Sequence, residues 1–166
     1  ERHVGGVILF AANMGSPEDL VSLTDSLQKV AGEADGIPLF ISTDQEGGRV
    51  LRVDERSTRQ FPGSMALGQT GNEEYAYDVG FTTGFELRKI GINFVLAPDL
   101  DVNNNPDNPV INTRSLGSKP ELVARMGSAL LRGMNDSLSM AVIKHFPGHG
   151  DTNTDSHKAL PRITKS

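Results

Sequence analysis

Met140-Ala141-Val142-Ile143-Lys144-His145-Phe146-Pro147-Gly148-His149-Gly150-Asp151-Thr152-Asn153-Thr154-Asp155-Ser156-His157 opens as an unbroken apolar run and turns abruptly polar at Lys144. Such a run reads as a buried strand whose carboxyl end spills into a loop, the place where parallel α/β folds keep their chemistry. The fourteen residues from Lys144 hold three of the chain's four histidines, two aspartates and a lysine. A lysine set directly against an apolar strand needs partners, because burying an ammonium alone is expensive.

The same transition occurs twice upstream. An apolar strand over 38–43 gives way to Asp44-Gln45-Glu46-Gly47-Gly48-Arg49, and one over 93–97 gives way to Pro98-Asp99-Leu100-Asp101-Val102. A first buried strand reads over 7–10. Between the strands lie helical patterns. Ser16 caps one with Pro17 at its first position and Asp19 three residues after the cap; Leu20, Leu23, Leu27 and Val30 follow, and Gly32 or Gly36 ends it. A second, from about Asn72 to Lys89, turns Ala76, Val79, Thr83 and Leu87 to one side, and a third, opened by Pro120, does so with Leu122, Met126, Ala129, Leu130 and Met134.

The order βαβαβαβ with nearly continuous apolar strands predicts an α/β fold with about four parallel strands under helices. All strand ends of such a sheet share one face, so ionisable residues far apart in sequence converge there. Segments 44–71 and 98–117 read as long loops after strands, whereas the returns at 32–37 and 91–92 are short. That asymmetry suits part of a (β/α)8 barrel. A doubly wound sheet normally carries a glycine-rich phosphate turn after its first strand, and Ala11-Ala12-Asn13-Met14-Gly15 is not one.

At 166 residues the chain reads as a single domain, 1–166, with no linker or repeat. A formal net charge of -5 with interspersed signs argues against nucleic acid and anionic membrane surfaces as partners. No segment is long and apolar enough to span a bilayer, and the lack of cysteine removes disulfides and thiolate metal sites.

Three stretches closely resemble glycoside hydrolase family 3, in particular its β-N-acetylglucosaminidase branch. Residues 144–157 match the KH-F-P-G-H-G-D-T-x-x-D-S-H signature, residues 44–52 resemble D-Q-E-G-G-R-V-x-R, and residues 97–117 resemble the A-P-x-x-D-x-N stretch that ends in R-S-F-G, with Leu116 replacing Phe. The resemblance implies a retaining β-N-acetylhexosaminidase of the TIM-barrel class that removes terminal N-acetylglucosamine from cell-wall material, with no metal or organic cofactor. It implies that Asp44, Arg52, Arg114, Lys144 and His145 hold the sugar and that His157, supported by Asp155, is the acid/base catalyst. Chemically, a carboxylate two residues from an imidazole can fix its tautomer and favour its protonated form. The remaining Asp and Asn residues of 99–108 read as shaping their loop, and His149 suits loop support as well as substrate contact.

The resemblance covers residues 4–161, and by it the barrel is incomplete at both ends. A strand and helix are expected before residue 1 and about three more strands after 166, with the nucleophilic aspartate among them. The residues by themselves leave two other readings open. One is a metal-dependent hydrolase built on His145, His149, Asp151 and His157, although Pro147 and Gly148 interrupt any helical ligand spacing. The other is a sugar-binding protein without turnover.

Overall fold

A computed structural model describes residues 4–34 and 36–163. The elements run β1 (Gly6–Ile8), α1 (Pro17–Ala34), β2 (Phe40–Thr43), a hairpin of β3 (Gln45–Gly47) and β4 (Val50–Leu51), α2 (Ser64–Thr70), α3 (Glu73–Lys89), β5 (Phe94–Val95), α4 (Pro120–Asp136) and β6 (Met140–Ala141). The four long-range strands form one parallel sheet in the order β1-β2-β5-β6, with Ile8 opposite Ser42, Thr43 opposite Val95, and Val95 opposite Ala141. Pairing continues past the last strand residues: Leu96 donates to Thr43, and Asp99 bridges Lys144 in parallel. The expected parallel α/β architecture is therefore present.

Each helix follows from its ends and its apolar face. Ser16 Oγ accepts the Asp19 amide at 3.1 Å while Asp19 Oδ2 accepts the Ser16 amide at 3.0 Å, a reciprocal cap that starts α1. The Asn72 side chain caps α3, and Pro120 is the first residue of α4. Leu20, Ile41, Leu87, Ile92, Val95 and Met126 are fully buried between helices and sheet. Gly91 has φ +81°, and a Cβ there would lie 2.1 Å from Thr24 Oγ1, so glycine both turns the chain and lets Thr24 donate to the Ile90 carbonyl. The α3–α4 contact is equally close and runs from backbone to backbone. A Cβ on Gly80 would lie 2.1 Å from the Leu130 carbonyl oxygen, and one on Gly133 would lie 2.1 Å from that of Tyr77.

Of the two glycines expected to end α1, the helix passes Gly32 and runs to Ala34, since an exposed glycine inside an otherwise helical run weakens the helix by only about 1 kcal/mol, and Gly36, at φ +70° with its amide donating to the Gly32 carbonyl, follows the helix end. Two expectations are corrected. Segment 44–71 is not one loop. The Gly47-Gly48 turn, with φ +95° and +58°, folds it into the β3–β4 hairpin, and α2 follows. The first and last strands are not buried, since Ile8 and Met140 are each 50 % exposed. They form the two edges of the sheet among the described residues, so each is covered from one side only.

Candidate active site

The carboxyl ends of β2, β5 and β6 bring their loops to one face, and a cleft of about 350 Å³ opens there. All seven residues singled out from the sequence line it: Asp44, Arg52, Arg114, Lys144, His145, Asp155 and His157. Arg49, Val50, Pro109 and Val110 complete the wall with Glu46.

Glu46 is the hub that sequence reasoning missed. Its side chain is 1 % exposed, and it binds the Arg114 guanidinium in bidentate fashion at 2.9 and 2.8 Å while also pairing with Lys144 Nζ at 2.5 Å. Burial pushes its carboxyl up, but Arg114 and Lys144 outweigh that and hold it below its ordinary value. The signal was available in the alternation of an extended segment. Asp44 and Glu46 are two apart and share a face, while Gln45 turns the other way, into the protein, to bond Val53, Thr58 and the Arg52 amide.

Lys144 Nζ donates to Asp44 Oδ1 at 2.7 Å, so the ammonium at the strand end is paired as its position required. Arg52 stands 3.9 Å from the other Asp44 oxygen. His145 Nδ1 lies 2.6 Å from Asp101 Oδ2 and His145 Nε2 lies 3.2 Å from Arg114 Nη2. Guanidinium can only donate, so Nε2 is the acceptor and Nδ1–H donates to Asp101.

Asp99 and Asp101 therefore do more than shape a loop. Asp101 holds His145 and accepts the backbone amide of His149; burial opposes its ionisation, yet these donors leave its carboxyl below the ordinary range. Asp99 is fully buried and accepts the Asp101 amide through Oδ1, while Oδ2 has no hydrogen-bond partner among the described residues and sits 3.5 Å from Arg114 Nε. Burial, and next the charge of Asp101, push the Asp99 carboxyl up to about 7.

In the last loop, Asp155 Oδ1 accepts both the His157 amide, at 2.9 Å, and its Nδ1–H, at 2.7 Å. The amide and the ring together keep the Asp155 carboxyl below its ordinary value. With Nδ1 held, Nε2 is left to exchange protons with whatever enters the cleft. The His157 side chain is 81 % exposed. His149 is different: it is buried, with Nδ1 2.7 Å from Thr152 Oγ1 and Nε2 3.1 Å from Ser156 Oγ.

The set His145, His149, Asp151 and His157 is not gathered as a metal centre. Both His149 nitrogens face hydroxyls, and His157 faces Asp155. Among the described residues the one group able to offer three ligand atoms within 4.8 Å of each other is Asp99, Asp101 and His145. Arg114 already lies against two of these three, a guanidinium where a cation would have to sit.

The chain matches the model of the glycosyl hydrolase family 3 N-terminal domain over residues 1–166. It is 44 % identical to beta-hexosaminidase A of Pseudoalteromonas piscicida over 164 residues, 96 % of this chain and 27 % of that protein. It is 37 % identical to beta-hexosaminidase LpqI of Mycobacterium tuberculosis, covering 93 % of this chain and 39 % of the relative. Among solved structures, a family 3 β-N-acetylglucosaminidase from Paenibacillus sp. superposes with a TM-score of 0.93 at 51 % identity, covering 96 % of this chain and 30 % of that one. NagZ from Neisseria gonorrhoeae in complex with N-trifluoroacetyl-D-glucosamine gives 0.88 at 36 % identity, over 98 % and 48 %. The chain thus spans between about a quarter and a half of the length of these relatives.

Proposed function

The chain belongs to glycosyl hydrolase family 3, with the parallel α/β fold of that family's N-terminal, TIM-barrel-like domain, and from this we propose that the protein it represents is a retaining β-N-acetylhexosaminidase acting on terminal β-linked N-acetylglucosamine, as in peptidoglycan fragments. The observation that carries the reading is the shared cleft: seven residues chosen from three distant segments line one cavity. Relatives named beta-hexosaminidase, and a neighbour solved with an N-acylated glucosamine, support the substrate class.

In this reading Lys144, Arg114, His145, Asp44 and Arg52 grip the sugar hydroxyls. Lys144 and Arg114 are themselves fixed by Glu46, so the donors are aimed before substrate arrives and little reorganisation is needed. His157 Nε2–H protonates the departing glycosidic oxygen as an aspartate carboxylate, contributed from beyond this sequence, bonds the anomeric carbon. His157 then takes a proton from water as that water displaces the carboxylate. Asp155 holds the ring through Nδ1–H and so leaves Nε2 as the nitrogen that works on the leaving oxygen. No step draws on a metal or an organic cofactor.

The test is His157→Ala in the full-length protein, assayed on an activated aryl N-acetylglucosaminide and on a disaccharide. General acid catalysis typically contributes about 10²–10⁴-fold. The loss in kcat/KM for glycosylation should approach that range on the disaccharide and be far smaller on the aryl substrate. Asp155→Asn should repeat the pattern more mildly. Equal losses on both substrates, or none on either, would remove His157 from this role.

A further inference from the structure

The loop that ends in His157 has two limbs of unlike character. Its near limb is stapled down. Asn108, itself buried, donates through Nδ2 to the carbonyls of His149 and Thr152 at 2.8 and 2.9 Å, while its Oδ1 accepts the Val110 and Ile111 amides. Gly150 packs so tightly that a Cβ would lie 1.9 Å from the Val102 carbonyl oxygen. The far limb, from Asn153 onward, is mostly exposed, and its own bonds are local. The Asp155 carbonyl accepts the Lys158 and Ala159 amides, and the Asp155 carboxylate accepts from His157.

The turn at 155–159 is tied to the near limb through Ser156 Oγ, which lies 3.1 Å from His149 Nε2. Ser156 lies between the two residues of the dyad. Asp155 and His157 face the cleft, whereas Ser156 points back to the buried imidazole. The polarity of the contact follows from Thr152. Its Oγ1 carries a single proton and lies 2.9 Å from the His149 carbonyl oxygen and 2.7 Å from Nδ1. Donation to the carbonyl makes Nδ1–H the donor to Thr152, which leaves Nε2 bare to accept the Ser156 hydroxyl. The His149 amide in turn donates to Asp101, the carboxylate that holds His145. A chain of contacts therefore runs from the sugar pocket to the dyad.

We propose that His149 and Ser156 are positioning residues, forming a latch that holds the Asp155–His157 dyad over the cleft by fixing the far limb of its loop to the stapled near limb. The proposal rests on the acid/base reading of His157. It assigns the two residues no contact with substrate; they act by raising the fraction of molecules in which Nε2 of His157 faces the cleft. A single neutral hydrogen bond of this kind shifts such a population by roughly two- to tenfold.

The test compares Ser156→Ala with Ser156→Thr, which keeps a hydroxyl, in the full-length protein. Two readouts are taken: tryptic cleavage after the exposed Lys158, and kcat/KM on a disaccharide against an activated aryl glycoside. Ser156→Ala should speed cleavage at Lys158 by roughly two- to tenfold and lower kcat/KM on the disaccharide by a similar factor, with a smaller loss on the aryl glycoside. Ser156→Thr should restore both. Faster cleavage with unchanged kinetics would overturn the proposal, as would unchanged cleavage with unchanged kinetics. His157→Ala, run alongside, separates the two readings. A leaving-group effect in His157→Ala but not in Ser156→Ala overturns the latch alone, and its absence from both overturns the dyad on which the latch depends.

Discussion

Arg114 reaches Glu46, Asp99 and His145 with one guanidinium, so its removal takes away more than a sugar contact. Arg114→Ala leaves the Glu46 carboxylate buried with Lys144 as its remaining cation. Breaking a buried pair by deleting one partner costs about 3–5 kcal/mol, which urea unfolding should register together with a fall in kcat/KM. Arg114→Lys should recover little of either, because an ammonium cannot make the bidentate contact. Asp99 predicts a pH dependence of the opposite kind. Its carboxyl is raised to about 7 in the fold, against an ordinary 3.8. From about pH 4 to 7 the unfolded chain has released this proton while the folded one retains it, so stability falls as pH rises across that window. Glu46, Asp101 and Asp155 are lowered, so their contributions act in the opposite sense and are lost as pH falls through their own depressed values. Asp99→Asn should therefore flatten the decline in melting temperature between pH 4 and 7, and an unaltered decline would locate its source elsewhere. The residues that protrude into the cleft were legible in the sequence, since charged and imidazole groups after apolar strands advertise themselves. Glu46, Asp99 and Asp101 were not assigned, because their importance lies in partners far away in the chain and only the fold supplies those.

Helices α3 and α4 meet backbone to backbone at Gly80 and Gly133, and each leads into a strand that carries part of the site: α3 into β5 and Asp99, α4 into β6 and Lys144. Gly133→Ala should separate the helices, costing about 1–3 kcal/mol by overpacking and lowering kcat/KM through the misplacement of Lys144. Gly32→Ala is the matched control. It lies on the exposed side of α1 with nothing within 4 Å of its added Cβ, so it should stabilise by about 0.5–1 kcal/mol and leave activity intact. Thermal melts of the two variants test the assignment. The long helices were legible because their apolar faces repeat over four or five turns and a start signal, Ser16 with Pro17, Asn72 or Pro120, stands at the head of each. The β3–β4 hairpin and α2 were not, because two- and three-residue strands and a seven-residue helix are too short to establish a period. Burial of β1 and β6 was overstated for a related reason: apolar composition marks a strand but not whether both of its sides are covered.

Across the whole molecule, the sheet ends at β1 and β6, and a groove of about 580 Å³ lined by Val7, Leu23, Leu27, Val30, Ile37 and Leu39 lies beside the first of these edges. Expressed by itself, the 166-residue chain is expected to self-associate in sedimentation at micromolar concentration. It is also expected to show no turnover of an aryl N-acetylglucosaminide, since the nucleophile proposed above is not among its residues. Measurable turnover would place that nucleophile within this sequence. The pairings at the centre of the site also set a timetable. Glu46 leaves the ribosome 68 residues ahead of Arg114, and Asp44, although Arg52 stands 3.9 Å away, precedes its hydrogen-bonded partner Lys144 by 100 residues. At a synthesis rate of roughly 5–20 residues per second, the second interval lasts about 5–20 s. Until Arg114 and then Lys144 emerge, Glu46 cannot be buried at low cost and Asp44 lacks its hydrogen-bonded cation, so this corner of the sheet is expected to stay hydrated until β6 has been made.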